Sequence, residues 1–230
     1  DVKKFPLAEK NIKFGQTLKS MGIAEKKTVR LKDYWNPTNV TAAFQKLVDD
    51  PEVTTIVLDK MPTPWYIDSV KFHEKVNGKR VLLKSGCEVL RCLDRLRHRM
   101  KGKDSAMFNV SCAKNLIIES DAARPEDVHI GFYHDYAERA KYNKSEGASG
   151  IEIGAGSRRT ITSQNIVVRN LRIADCEQDG LAVGANWCPP EDIYIENVIL
   201  ESNYRQGTSP CAYYSLYFKN CTFRNTRGAP

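Results

Sequence analysis

The chain has 230 residues, 41% hydrophobic and 27% charged, with a net charge of +7 and an isoelectric point near 9.0. That length can bury a sizeable core as one large unit or two smaller ones, and no apolar run approaches the ~18 residues that a membrane span requires. The positive balance favours an acidic partner such as an anionic glycan, while the absence of an interleaved aromatic and basic motif argues against nucleic acid.

The opening stretch, DVKKFPLAEK, holds neither a Met nor a charged-then-apolar leader, so a signal peptide, if one existed, is expected to have been removed. Sequons at Asn39, Asn109, Asn143 and Asn220 agree with secretion. Seven cysteines (Cys87, Cys92, Cys112, Cys176, Cys188, Cys211 and Cys221) form no CxxC pair, which argues against zinc. In a secreted chain they predict a few disulfides with at least one thiol left over.

Residues 39–53, NVTAAFQKLVDDPEV, carry an Asn or Thr cap, a run of good helix formers and a Pro stop, which predicts a helix. TTIVLD and WYIDSVKF follow as strand-like runs, and KRVLLKSGCEVLR (Lys79 to Arg91) reads as an early coil of a repeat. A boundary is therefore placed between an N-terminal cap with first strands, 1–78, and a run of coils, 79–230. RLRHRMKGK (Arg95 to Lys103) reads as a solvated basic turn or helix. A long insertion near 131–149 contains GFYHDYAERAKYNKSEGASG, whose aromatics and charges suit a grip on a sugar chain and whose DYAERAKY could form a helical lid.

The strongest signal is self-similarity. NIVVRNLRIADCEQDGLAVG (from Asn165), DIYIENVILESNYRQGTSP (from Asp192) and SLYFKNCTFRNTRGAP (from Ser215) align on Asn170, Asn197 and Asn220, at intervals of 27 and 23 residues. Gly180 and Gly207 align as well, and AKNLIIES and SGIEIG are partial copies. This period, with short strands and no helical periodicity, predicts an all-β chain folded as a right-handed parallel β-helix (solenoid) with an N-terminal capping helix. Ile166, Val168, Leu171 and Ile173 would point inward, with Ile193, Ile195, Val198 and Leu200, then Leu216, Phe218, Cys221 and Phe223, stacked at ~4.8 Å in the same columns. The three asparagines would sit at bends in left-handed conformation and ladder their amides. Arg169, Glu196 and Lys219 would form an outward column of cross-strand charges. NTRGAP follows directly on a coil, so the sequence reads either as a piece of a longer helix or as a last coil covered by something else.

These repeats, with the helix-then-strands segment NVTAAFQKLV…TTIVLD…WYI, resemble the pectate-lyase-like superfamily of right-handed parallel β-helix proteins. The resemblance spans roughly residue 39 to the end and implies a polysaccharide lyase, a polygalacturonase-type hydrolase, an epimerase or an adhesin. DCEQDG (Asp175 to Gly180) is similar to the acidic turn on which β-helix glycosidases carry paired aspartates. The Gly-His-Gly segment of polygalacturonases is absent.

Glycoside hydrolysis needs two carboxyl groups ~5 to 9.5 Å apart. The catalytic candidates are Asp175, Asp179 and Glu201. Tyr204, Arg205 and Gln206 on the following turn, and His134, Arg139, Lys141 and Tyr142 in the insertion, are the candidate substrate-binding residues. An acidic turn of this kind could equally be solvated and paired with Arg205. Hydrolysis requires no metal. The alternative, a polysaccharide lyase acting on a uronate, needs a base such as Lys141, Arg139 or His134 and a positive group or Ca²⁺ on the sugar carboxylate. A non-catalytic glycan-binding β-helix is the third reading.

Overall fold

A computed structural model describes residues 12–92, 106–135, 137–138, 147–154, 161–184 and 188–227. The basic run at 95–103 and the insertion residues Tyr136, Arg139, Lys141, Tyr142, Lys144 and Glu146 lie outside the described residues, as does the sequon asparagine Asn143.

The chain is mostly β, with parallel sheets and, among the described residues, one α-helix. In order, the strands are β1 (Lys27–Arg30), β2 (Val53–Leu58), β3 (Trp65–Ile67), β4 (Val70–Phe72), β5 (Asn77–Leu83), β6 (Glu88–Arg91), β7 (Phe108–Val110) and β8 (Lys114–Ser120). Then come β9 (His129–Gly131), β10 (Ile151–Ile153), β11 (Gln164–Ala174), β12 (Leu181–Val183), β13 (Glu191–Glu201), β14 (Thr208–Pro210), β15 (Leu216–Lys219) and β16 (Thr222–Arg224). The helix, α1 (Thr41–Asp49), lies between β1 and β2 in sequence and packs against β2 and β4.

α1 forms where its sequence predicts. The Asn39 side-chain oxygen accepts from the Thr41 backbone N–H at 2.9 Å, which satisfies one of the unpaired donors of the first turn. Phe44, Leu47 and Val48 fall on one face and are buried, and Phe44 meets Phe108 edge-on at 6.1 Å, above a Phe72–Phe108 stack. The helix ends at Asp49, ahead of Pro51. Just past its end the Lys79 ammonium reaches the backbone oxygens of Asp50, the C-cap residue, and of Val53 at the start of β2. A cation here complements the negative end of the helix dipole, and burial pulls the Lys79 ammonium below its usual range.

All strand pairings among the described residues are parallel. One sheet has five strands in the order β4-β7-β10-β12-β14, and the other has eleven. In the larger sheet β11 pairs through its first half with β8 and through its second half with β9, and β13 likewise meets β15 and then β16. The break falls at Asn170 and Asn197, both at positive φ inside their strands, so the larger sheet curls there.

The inward columns match the repeat. Ile166, Ile193 and Leu216 are in register, as are Val168, Ile195 and Phe218, and Ile173, Leu200 and Phe223. The members on β11 and β13 are completely buried, whereas Phe218 and Phe223 are 37% and 48% exposed. β15 and β16 each pair only with β13 among the described residues, so nothing described lies over these two rings. Each buried aliphatic side chain is worth ~1.5–3 kcal/mol, more than the ~0.2–1 kcal/mol of a cross-strand charge pair. Since a one-residue slip would turn every one of them outward, the apolar columns fix the register.

Three columns of left-handed residues mark the bends: Asn115, Asn165 and Asp192; Asn170, Asn197 and Asn220; and Asp175, Ser202 and Asn225. Asn197 Nδ2 donates to Asn170 Oδ1 at 2.7 Å, the amide ladder that the repeat predicts. The other two columns repeat position without repeating residue type.

All seven cysteines are free thiols, so the expected disulfides are not formed. Several are spacers in the packing. Cys176 is fully buried, and a Cβ on Gly150 would come within 2.9 Å of its sulfur. Burial raises the Cys87 and Cys176 thiols well above their ordinary value, which leaves them unreactive. The outward column stands in register, Arg169 beside Glu196 and Glu196 beside Lys219, and its charges also meet groups outside it. Arg169 bonds to Glu119 at 2.5 Å, while Glu196 accepts the Gly15 N–H on both oxygens and Lys219 lies over the Phe14 ring.

Candidate active site

Every strand of the five-stranded sheet is three residues long, and the first four place two buried apolar residues around one that faces outward. The register aligns those outward positions as Lys71, Asn109, Glu152, Ala182 and Ser209. Glu152 is the acidic member of this row. Burial pushes its carboxyl above the usual carboxylate range, and the charge of Asp179 pushes it further.

Asp179 belongs to the turn that enters β12, and this turn is built by stacking on its neighbours. Gly150 N donates to Asp179 O at 3.1 Å, Gly180 N to Gln206 O at 3.1 Å, and Arg205 N to Gln178 O at 3.0 Å. Asn203, 1% exposed, clamps the stack: its oxygen accepts from Cys176 N at 3.1 Å and its nitrogen donates to Ile173 O at 3.3 Å. Gly180 must be glycine, because a Cβ would lie 2.6 Å from Asn203 Nδ2 and 2.8 Å from Leu200.

The acidic turn is not solvated, contrary to one sequence expectation. Asp175, Glu177 and Asp179 are each 2% exposed or less, and each is met by a side chain from another part of the fold. Arg205 Nε lies 3.5 Å from Asp179 Oδ1, and Tyr133 donates its hydroxyl to Glu177 Oε1 at 2.5 Å. Asp175 is held by Arg172 at 3.1 Å and by His129 at 3.5 Å. Buried carboxylates demand such partners.

No protein-family model, curated protein or solved structure matches this chain. The chemistry of the site is therefore read from its own geometry.

Asp175 and Glu201, two of the three carboxylates singled out in the sequence, belong to a second group on the eleven-stranded sheet. Glu88 bonds to His129 at 3.1 Å and to His134 at 3.2 Å. The run continues through Asp175 and Arg172 to Glu201, which accepts from Arg172 at 2.6 Å and from Arg224 at 2.5 Å. Burial opposes the charge on Glu201, but the hydrogen bonds from Arg224 and Arg172 outweigh it and hold the carboxyl below its usual range. At Asp175 the balance is reversed: burial prevails over His129 and Arg172, and the carboxyl is raised. Asp175 is also one of the left-handed bend residues. These groups are engaged in joining β6, β9, β11, β13 and β16.

Of the expected binding residues, Arg205 is brought to Asp179, while Gln206 sits one residue further on with its side chain accepting from Ser209 at 2.9 Å. Tyr204 is half-buried in the same turn. His134 joins Glu88 instead of Asp179. Arg139, Lys141 and Tyr142 lie outside the described residues. Glu152 escaped the sequence reading, although the alternation in IEI, aligned with LAV of DGLAVG, marks it as the one outward residue of its strand.

Among the described residues no group of three or more His, Cys, Asp or Glu side chains is arranged to hold a metal ion. No helix among them is long and apolar enough to cross a membrane.

Proposed function

We propose that the chain is a secreted right-handed parallel β-helix, with residues 1–78 as its capped first turns and 79–230 as further coils, and that it hydrolyses an anionic polysaccharide on the outer face of the five-stranded sheet. The solenoid reading is supported by the all-parallel pairing, by the in-register stacking of successive repeats and by the three bend columns. The observation that carries the chemistry is the pair Glu152 and Asp179. One carboxyl is pushed up and so kept protonated further toward neutral pH, and the other faces a countercharge. Two carboxyl groups in unlike environments are what acid and base roles in glycoside hydrolysis require.

In this mechanism Glu152 gives its proton to the glycosidic oxygen as the bond to the anomeric carbon breaks, and Asp179 supplies the carboxylate that activates water or attacks that carbon. Asp179 is 1% exposed, and Arg205, with a third of its side chain exposed, stands over it. A uronate carboxylate competing for Arg205 would draw the guanidinium aside and uncover Asp179, which couples substrate charge to catalysis. The net charge of +7 attracts the same substrates over longer range.

The test is incubation with neutral and uronic polysaccharides, reading reducing ends and unsaturated-uronate absorbance together, with wild-type, Glu152→Gln and Asp179→Asn chains. Reducing ends without absorbance, lost in both variants, support the proposal. Absorbance would mean β-elimination. Unchanged turnover in Glu152→Gln, or binding of glycans without turnover, would overturn it.

A further inference from the structure

Residues 12–23 cross the outer face of the eleven-stranded sheet as a strap. Ile117, Val167 and Tyr194 stand in one outward row, and Leu18 packs on them, all 5% exposed or less. The strap is pinned by the two bonds from Gly15 N to the Glu196 carboxylate, 3.0 Å each, and by Arg169 Nη1 donating to Gln16 O at 2.8 Å. Between the strap and the first bend column lies a cleft of about 720 Å³, whose lining includes Phe14, Gln16, Asn165, Asp192 and Tyr194. That volume falls within the ~300–1,000 Å³ of small-ligand sites.

Two features of this cleft are incomplete. Gln16 is 9% exposed, yet its Nε2 has no hydrogen-bond acceptor, an arrangement that costs stability unless something fills it. The asparagine ladder also breaks here. Asn115 Nδ2 donates to Asn77 Oδ1, and Asn165 Nδ2 to Asn115 Oδ1, each at 2.7 Å. The next bend position is Asp192, whose carboxylate has no N–H to give to Asn165 Oδ1. The lining thus includes one buried donor lacking an acceptor and, at Asn165 Oδ1, an oxygen that the ladder leaves without its next donor. Phe14, edge-on to Tyr194 at 5.8 Å, adds aromatic surface to the same lining.

We infer that this cleft binds a neutral saccharide unit. Each sugar hydroxyl both donates and accepts, so one can take the Gln16 Nε2 hydrogen while others donate to Asn165 Oδ1 and Asp192, with an apolar ring face against Phe14 and Tyr194. The site is on the other sheet from Glu152 and does not depend on hydrolysis there.

Calorimetric titration with cellotriose, xylotriose, chitotriose and trigalacturonate tests it. At least one neutral trisaccharide is expected to bind, Gln16→Leu to weaken that binding about tenfold, and Asp192→Asn to weaken it as well. The asparagine keeps an oxygen for Ser215, which bonds to Asp192 at 3.0 Å, and can donate to Asn165, so the melting temperature of Asp192→Asn should be unchanged or higher. Glu152→Gln should leave this binding intact, which separates the fate of this site from that of the hydrolytic proposal. Absence of neutral-sugar binding at millimolar concentration, binding of trigalacturonate alone, or affinity that survives both substitutions would overturn the inference.

Discussion

The outer faces of the two sheets use charge in opposite ways. On the eleven-stranded sheet, Glu88, His129, Asp175, Arg172, Glu201 and Arg224 form a continuous run in which each member touches an opposite charge or a histidine partner. On the five-stranded sheet the outward row is sparse, and its acidic member, Glu152, is kept above its ordinary range by burial and by a neighbouring carboxylate. Charges answered by neighbours on adjacent strands hold the architecture together. A carboxyl whose surroundings disfavour its charge is the one poised to give up a proton in a reaction.

The sharpest way to break this contrast is to neutralise one carboxylate on each face. Glu152→Gln should lower turnover by about 10²–10⁴-fold, the usual contribution of a general acid, with the fold intact by circular dichroism. Glu201→Gln should do the reverse, leaving turnover near wild type and destabilising the chain by about 1 kcal/mol in urea denaturation, because two guanidinium groups lose a charged acceptor at a partly exposed site. If Glu201→Gln abolishes turnover with unchanged stability, the division between the faces is wrong.

The pH dependence should separate them further. Glu152 has its folded pKa raised above the ordinary 4.5, so the protonated acid is lost, and turnover falls, as pH rises through that raised value. Its effect on stability has the same direction: the folded state holds the proton more tightly, so this contribution is fully present below the ordinary value and disappears as pH rises through the folded one. Glu201 is lowered, so its contribution is present above the ordinary 4.5 and is lost as pH falls through its folded value. Thermal melts of Glu152→Gln and Glu201→Gln across pH 3–8 should therefore both approach wild type at the acid end and part from it in opposite directions toward neutral pH, Glu152→Gln melting higher than wild type and Glu201→Gln lower.

A separate expected effect, on stability alone, concerns the bends. Asn197→Ala should cost about 1–2 kcal/mol, since alanine resists the left-handed region and cannot ladder, whereas Asn197→Gly should recover most of that loss by supplying the backbone freedom alone.

Much of this was legible in the sequence where one residue type recurs at a fixed interval. The β11 and β13 columns and the Asn170–Asn197–Asn220 bend follow from letters that repeat. The other two bend columns do not, because Asn, Asp and Ser share the backbone preference without sharing a letter. His129 and Glu88 are 41 positions apart and meet only through the β6–β9 pairing. Solvation of the acidic turn was a reasonable expectation for three carboxylates in five residues. The pairing with Arg205 was part of that reading and is formed, but solvation fails because Tyr133 and His129 are delivered from other parts of the fold, and nothing local to DCEQDG announces them.

The bend columns also set where the chain can tolerate a change in length. Within each repeat the left-handed residues fall five apart: 165, 170 and 175, then 192, 197 and 202, with 220 and 225 continuing the second and third columns. The 27- and 23-residue repeats therefore differ only in the path that leaves the third column and returns to the next repeat. Five-residue spans are the invariant frame, and the return path, which carries Asp179, Arg205 and the five-stranded sheet, is the adjustable side. Insertions, loop grafts or new specificities can accumulate there without disturbing the register of the five-residue spans.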